Sequence, residues 1–331
     1  MKGTLENLNP LLAPGLSLRP ARLEDAESVA RLMLDICTAD GDPTMAMTSG
    51  ELCSHWEATD FDLEKNTWVV ATQSGRIVGY EELVHRQAHA SFSGDGYVQP
   101  EFMGLGIGTT LLRALETRAR AEMRLAEPGL RVFIRNGMST KDQVACDMHE
   151  AEGYKAIRYQ WTMEINLNQM PVVPAWPARI ELRSFDLQEH NYSLHLAHEE
   201  AFGELWGRAP HTYEDWQHRM TGRDDFDPSQ WYIAWDGAEI AGYSLCSNRM
   251  GTGYVGSIGV RKPWRHLGLG LALLSHSFAE MFKRGLKTVK LSVDASNPTG
   301  ATRLYQRAGM HVAAEYVIYE KELRTGRDII Q

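Results

Sequence analysis

Arg265-His266-Leu267-Gly268-Leu269-Gly270 sets one guanidinium beside two closely spaced glycines, a combination suited to holding a phosphate. It follows an apolar, strand-like run ending at Val260 and opens a stretch of helical periodicity reaching about Arg284. Strand, glycine turn and helix N-terminus together make an anion cradle. The first-turn N–H groups there, over His266 to Leu271, lack intrahelical partners, and the helix dipole favours negative charge. The device recurs upstream, where Val98 leads through Met103 into Gly104-Leu105-Gly106-Ile107-Gly108-Thr109. A phosphate-bearing cofactor is the expected ligand.

The loops belong to a longer repeat. Gly268 minus Gly106 and Gly270 minus Gly108 both give 162. Trp231-Tyr232-Ile233-Ala234 through Gly242-Tyr243 follows Trp68-Val69-Val70-Ala71 through Gly79-Tyr80 at 163, Leu182-Arg183 follows Leu18-Arg19 at 164, and Gly309 follows Gly153 at 156. Collinear matches at this period describe two domains in tandem, and 331 residues are enough for two cores. The expected division is 1–167, a linker at 168–177 holding three prolines, and 178–331.

Each copy predicts the same order of elements. In the first, a strand at 16–19 and a helix at 24–39 precede a hairpin, 68–72 with 77–84, around Gln73-Ser74-Gly75. A strand at 91–98, the loop, a helix at 106–122, a strand at 130–135, a helix to 152 and closing strands through 167 complete it. The second runs through a strand at 179–183, a helix at 187–202, a hairpin about Asp236-Gly237 and a strand at 254–260. Then come the loop, a helix to 284, a strand at 288–293, a helix after Asn297 and closing strands at 311–323. This is an α+β pattern with a mixed, mostly antiparallel sheet flanked by helices. A Rossmann loop would follow the first strand of a βαβ unit, whereas several elements precede each loop here, and no Gly-Lys-Ser/Thr run suggests a Walker loop.

With 43 acidic and 34 basic residues the net charge is -9, which disfavours a nucleic-acid partner. Four cysteines without C-x-x-C spacing read as reduced thiols. No secretory leader or membrane-length apolar run is found, so a soluble, cytoplasmic protein without a membrane partner is expected. His190, His195, His198, His211 and His218 lie close in sequence but lack an H-E-x-x-H pattern, and no metal is expected.

Val260, then Arg265-x-x-Gly268-x-Gly270, then Asn297-Pro298-Thr299-Gly300-Ala301-Thr302-Arg303-Leu304-Tyr305 before Gly309-Met310, resembles the GNAT superfamily of acetyl-CoA-dependent N-acyltransferases. The doubling resembles the tandem GNAT proteins, of which mycothiol synthase is the best known. The resemblance implies two GNAT-like domains, with acetyl-CoA held by its pyrophosphate on the loop amides. It also implies that a strand carrying Ile258 and Val260 pairs with the pantetheine. Tyr305 is then the expected general acid, protonating the departing thiolate, although a tyrosine packed in the core is the competing reading. Asn297 is expected to cap a helix with Pro298 at its first position, and also to contact the cofactor. Gly153 and Gly309 read as left-handed helix ends.

The first copy departs from the pattern. Met103 stands in the place of Arg265, and His149 in that of Tyr305, so the first domain is expected to be degenerate. His149 reads as a candidate acid or, as the competing reading, a partly solvated histidine near a helix end. Mycothiol synthase-like proteins imply a glutamate on the strand before the second loop, but Tyr254-Val255-Gly256-Ser257-Ile258-Gly259-Val260 has none. Glu199, Glu200 and Glu204 are left as candidate bases or solvated charges, and Trp206 as a core ring or the wall of an amine pocket. The expected activity is acetyl transfer to a primary amine of a small molecule by direct attack, in the second domain. The alternative is a non-catalytic acyl-CoA-binding or sensing protein.

Overall fold

The computed structural model describes residues 11–328 apart from 87, 204, 209, 223 and 224. Two compact units emerge: the chain up to Tyr159 together with the stretch from Ala314, and Gln160–Ala313. The first unit runs β1 (Leu16–Arg19), α1 (Ala26–Asp40), α2 (Ser49–Trp56), α3 (Leu63–Asn66), β2 (Thr67–Thr72), β3 (Ile77–Arg86) and β4 (Ser91–Val98). It continues with α4 (Ile107–Glu122), β5 (Val132–Ser139), α5 (Gln143–Ala151) and the start of β6 (Lys155–Asn166). The second holds β7 (Ile180–Ser184), α6 (Leu187–Phe202), α7 (Tyr213–Thr221), β8 (Trp231–Asp236), β9 (Glu239–Arg249) and β10 (Thr252–Val260). Then follow α8 (Leu269–Lys283), β11 (Thr288–Asp294), α9 (Ala301–Arg307) and the start of β12 (His311–Arg324). Residues 168–177 carry neither helix nor strand.

Local chemistry sets these boundaries. Thr48 accepts the Glu51 N–H while Glu51 reaches back to the Thr48 N–H, a capping box opening α2. Asp186 accepts from the N–H groups of Gln188 and Glu189 at the head of α6, and Thr212 accepts from Asp215 at the head of α7. The hairpin turns fall at Gly75 and Gly237, which hold φ of 85° and 62°.

The sheet of unit 1 has the order β1-β2-β3-β4-β5-β12, and that of unit 2 the order β7-β8-β9-β10-β11-β6. In each, the only parallel neighbours are the fourth and fifth strands, β4 with β5 and β10 with β11. The closing strand of each copy therefore sits in the sheet of the other. β12 pairs with β5 from Tyr316↔Ser139 to Arg324↔Val132, and β6 pairs with β11 from Thr288↔Asn166 to Asp294↔Gln160. The packed units thus differ from the linear division at 168–177: each copy keeps its first five strands and exchanges its last. Each exchanged strand packs into the core of the sheet it joins. Val317 and Tyr319 of β12 join the core of Leu115, Val132 and Ile134, whereas Met163 of β6 joins that of Phe278 and Leu291. Each closing segment is also one long strand where a pair was expected.

Candidate active site

The second loop is built as an open cradle. After Val260 a single turn, Lys262–Trp264, leads into Arg265, and His266 and Gly268 adopt left-handed φ of 64° and 88° before α8 begins at Leu269. A Cβ on Gly268 would meet nothing within 4 Å, so the space above the loop is clear. Leu269 is buried and offers only its backbone outward, while Leu267 is 58% exposed. Gly270 packs closely: a Cβ there would lie 3.1 Å from Leu304 of α9. Arg265 straps the loop, its Nε donating to the Val260 carbonyl at 3.1 Å and Nη2 to the Ala201 carbonyl at 3.3 Å. Its charge stays beside the cradle while its N–H groups hold backbone.

β10 then presents a free edge. It pairs with β11 only at Gly253↔Val289 and Tyr254↔Lys290, while Ile258 and Val260 remain bonded to β9 on the other side. The edge turned from β9 can pair with an extended ligand. Tyr305 packs in the same cluster as Val255 and Ile258. It is buried, and burial pushes its phenol up to about 12, so the hydroxyl keeps its proton at any ordinary pH. A left-handed Gly309 ends α9, with the Met310 N–H donating to the Tyr305 carbonyl at 3.0 Å and the Gly309 N–H to Gln306 at 3.0 Å.

Asn297 does not cap this helix. Gly300, at φ 77°, stands before Ala301, and Pro298 lies outside. Asn297 Oδ1 instead accepts from the Thr299 N–H at 2.9 Å and its hydroxyl at 2.6 Å, closing a turn ahead of the helix.

Where a glutamate was sought on β10, Ser257 stands, and the structure brings His198 of α6 to it. His198 Nδ1 lies 2.9 Å from Tyr243 Oη and 3.5 Å from Ser257 Oγ. Tyr243 covers Gly259, where a Cβ would fall 2.5 Å from Oη. Burial and then Arg208 push His198 down to about 3, so the ring is neutral. Nothing in the histidine-rich stretch singled out His198, because its partners come from other strands. Glu199 pairs with Arg208 and Glu200 with Arg261, each at 2.6 Å, so neither is a solvated charge. Glu204 lies outside the described residues. Trp206 is 41% exposed, whereas Trp216, Trp231 and Trp235 are core. Among the described residues no three His, Cys, Asp or Glu side chains converge to hold a metal ion.

Unit 1 repeats the plan in closed form. Gly104 and Gly106 are again left-handed, at φ 77° and 80°, but a Cβ on Gly106 would overlap the Leu11 carbonyl, and the Ala13 N–H donates to Leu105 at 3.2 Å. A Cβ on Gly108 would press within 2.8 Å of Met148 Sδ. β4 stays paired with β5 for four residues, to Gly94↔Asn136. The Gly94 N–H donates to Asn136 Oδ1 at 3.0 Å, Asn136 Nδ2 to His149 Nε2 at 3.0 Å, and His149 Nδ1 to the Ala145 carbonyl at 2.9 Å. His149 is therefore buried and fully bonded, in contrast to the partly solvated residue expected; β4 and β5 stay paired two residues longer than β10 and β11, and this bonding ties them where they part. On the face toward α1 and α2, Glu82 accepts from Tyr80 at 2.6 Å and pairs with His55 at 3.3 Å, while Asp95 accepts from Tyr97 at 3.2 Å.

A family model described as Acetyltransferase (GNAT) family matches residues 38–141 and again 191–310. The chain belongs to the GNAT family. As a GNAT protein it is an acetyl-CoA-dependent acyltransferase, and its α+β architecture is that of a tandem GNAT protein. A mycothiol acetyltransferase of Streptomyces bingchenggensis is 26% identical over 309 residues, covering 90% of this chain and 93% of its own. A GCN5-related N-acetyltransferase from Sphaerobacter thermophilus is 36% identical, with a TM-score of 0.81 over 96% of this chain and 99% of its own. A tandem GNAT protein from the clavulanic acid biosynthesis pathway shares the fold at 17% identity, TM-score 0.70, over 94% of this chain and 99% of its own. No helix among the described residues is long and apolar enough to cross a membrane.

Proposed function

We propose that unit 2 transfers the acetyl group of acetyl-CoA to a primary amine of a small molecule by direct attack. The observation that carries this reading is the free edge of β10, which leads from the open loop to a phenol with no hydrogen-bond partner among the described residues. Bound acetyl-CoA supplies an activated acyl group as a thioester. The amides from His266 to Leu271 hold its pyrophosphate, Ile258 and Val260 pair along the pantetheine, and Arg265 keeps the loop in shape. Tyr305 donates its proton to the departing sulfur, and its raised pKa keeps that proton available. Glu199 and Glu200 are engaged in ion pairs, so the attacking amine loses its proton to water.

The latch through Asn136 and His149, together with the Leu11 carbonyl against Gly106, supports a degenerate unit 1. Thiol release from acetyl-CoA against a panel of amines tests the proposal. Transfer is expected in the wild type and is lost in Gly268→Val. Release that no amine stimulates would overturn acetyl transfer to amines, and undiminished transfer by a folded Gly268→Val protein would overturn the assignment to unit 2.

A further inference from the structure

The face of unit 2 where α6 and α7 lie over β8 and β9 holds buried donors without partners among the described residues. Trp216 is 1% exposed, and its indole N–H, which can only donate, has no acceptor among the described residues. Among the described residues His195, 6% exposed, has no partner for Nδ1, and the buried Nε of Arg208 has none either. Trp216 and His195 are in direct ring contact, and Arg208 joins them through Phe202 and His198. The His195 ring is 5.6 Å from that of Trp216, and His198 is 6.2 Å from it. Phe202 stacks on His198 at 4.6 Å and carries the Arg208 guanidinium 5.3 Å above its ring. Arg219 Nη1 lies 2.9 Å from His211 Nε2 at the same end.

Buried N–H groups without partners are costly, and a cluster of them calls for an acceptor. The local charge has the matching sign, since Arg208, His211, His195 and Arg219 all disfavour a proton on His198. One anionic partner, Glu199, reaches Nη2 of Arg208 and leaves Nε over.

We propose that this cluster binds a carboxylate on the amine acceptor, so that the preferred substrates of unit 2 are amino acids or amines bearing a carboxylate. Trp216 Nε1 and Arg208 Nε donate to the carboxylate oxygens, and His195 donates from Nδ1. The carboxylate replaces water around groups that otherwise stay unsatisfied, and a neutral isostere leaves them unpaired. This inference rests on the reading of unit 2 as the acetylating half.

The test compares matched acceptors with the full chain: serine against serinamide, and ethanolamine against O-phosphoethanolamine. Serine is expected to have a kcat/KM at least about tenfold above that of serinamide, mainly through KM, and the phosphate to bring no gain as large. Trp216→Phe keeps the ring and removes the donor, and should erase most of that preference while leaving serinamide unchanged. Arg208→Gln should lower the preference from the edge of the cluster and serves if Trp216→Phe does not fold; because it also frees Glu199, it is read on the serine-to-serinamide ratio alone. Equal kcat/KM within the serine pair overturns the proposal, as does a preference for the phosphate over the carboxylate. Ordered water alone on Trp216 Nε1 in a serine-soaked crystal also overturns it. If no amine is acetylated, calorimetry still decides the cluster: serine binding that Trp216→Phe abolishes sustains the carboxylate site and sinks only the acetyl-transfer reading, whereas no serine binding sinks the site.

Discussion

Tyr305 and His149 occupy the same place in the same helix ending. The carbonyl of each accepts the N–H five residues on, from Met310 and Tyr154, at 3.0 and 2.9 Å. A left-handed glycine, Gly309 or Gly153, completes the turn. Their side chains have opposite fates. The phenol of Tyr305 finds no partner among the described residues, whereas both ring nitrogens of His149 are bonded, one holding Asn136 against Gly94. One backbone device therefore serves an available proton in one copy and a latch in the other.

Tyr305→Phe is expected to slow acetyl transfer by roughly 10² to 10⁴ with little change in thermal stability, because ring packing is kept and no hydrogen bond is lost. The phenol is protonated below about 12, so Tyr305 should add no basic limb to the rate between pH 6 and 10. Single-turnover transfer measured beside thermal unfolding tests both statements. Normal transfer by the variant would remove Tyr305 from the mechanism.

Gly268→Ala and Gly106→Ala should behave differently although both force a left-handed residue, at a cost of about 1–3 kcal/mol. Space above Gly268 is clear, whereas Gly106 faces the Leu11 carbonyl. The unit 2 change should lower acetyl-CoA affinity with a modest loss of stability. Its unit 1 counterpart should lower the melting temperature further and leave affinity per folded molecule intact. Calorimetric titration and melting curves on both proteins give the comparison.

Asp95 makes stability depend on pH. Burial and then Glu82 push its carboxyl up to about 7, so the folded chain holds this proton more tightly than the unfolded chain, where the ordinary value is 3.8. A raised pKa favours folding fully below about 4, and the contribution is lost as pH rises through 7. Asp95→Asn should therefore stabilise the protein more at pH 8 than at pH 5. Equal urea midpoint shifts at the two values would refute the assignment.

Glu320 ties the exchanged strand to unit 1. It bonds Arg131, and also Arg135 at 2.9 Å, from a carboxylate that is only 10% exposed. Glu320→Ala leaves two arginines facing each other and should cost about 1–3 kcal/mol. Amide exchange should speed up in Val132–Ser139 and stay unchanged in Thr288–Asp294, which pairs with β6. Uniform loss of protection would mean that β12 does not act through β5.

Local signals were readable where one residue type has one role. Helical periodicity from Leu187 marked α6 to its last residue, and Gly309 after Tyr305 marked the end of α9, because that position needs a left-handed φ. Asn297 misled because asparagine closes a turn as readily as it caps a helix, and only the chain geometry chooses. His198 could not be paired with Tyr243, 45 residues away, from spacing alone. The strand exchange was likewise hidden: β6 and β12 close equivalent sheets, and side-chain fit with β11 or β5 decides between them.

The exchange sets a timetable for the chain during its own synthesis. β5 is complete at Ser139, yet its partner begins pairing at Tyr316, 177 residues later by subtraction. At about 5–20 residues per second the edge waits roughly 9 to 35 s for its neighbour. Through that interval Val132 and Ile134 lie along a strand paired with β4 on one side only, and its other edge is open to stray pairing. The half that leaves the ribosome first is thus the half that is finished last, and the nascent protein depends on whatever shields that edge until β12 arrives.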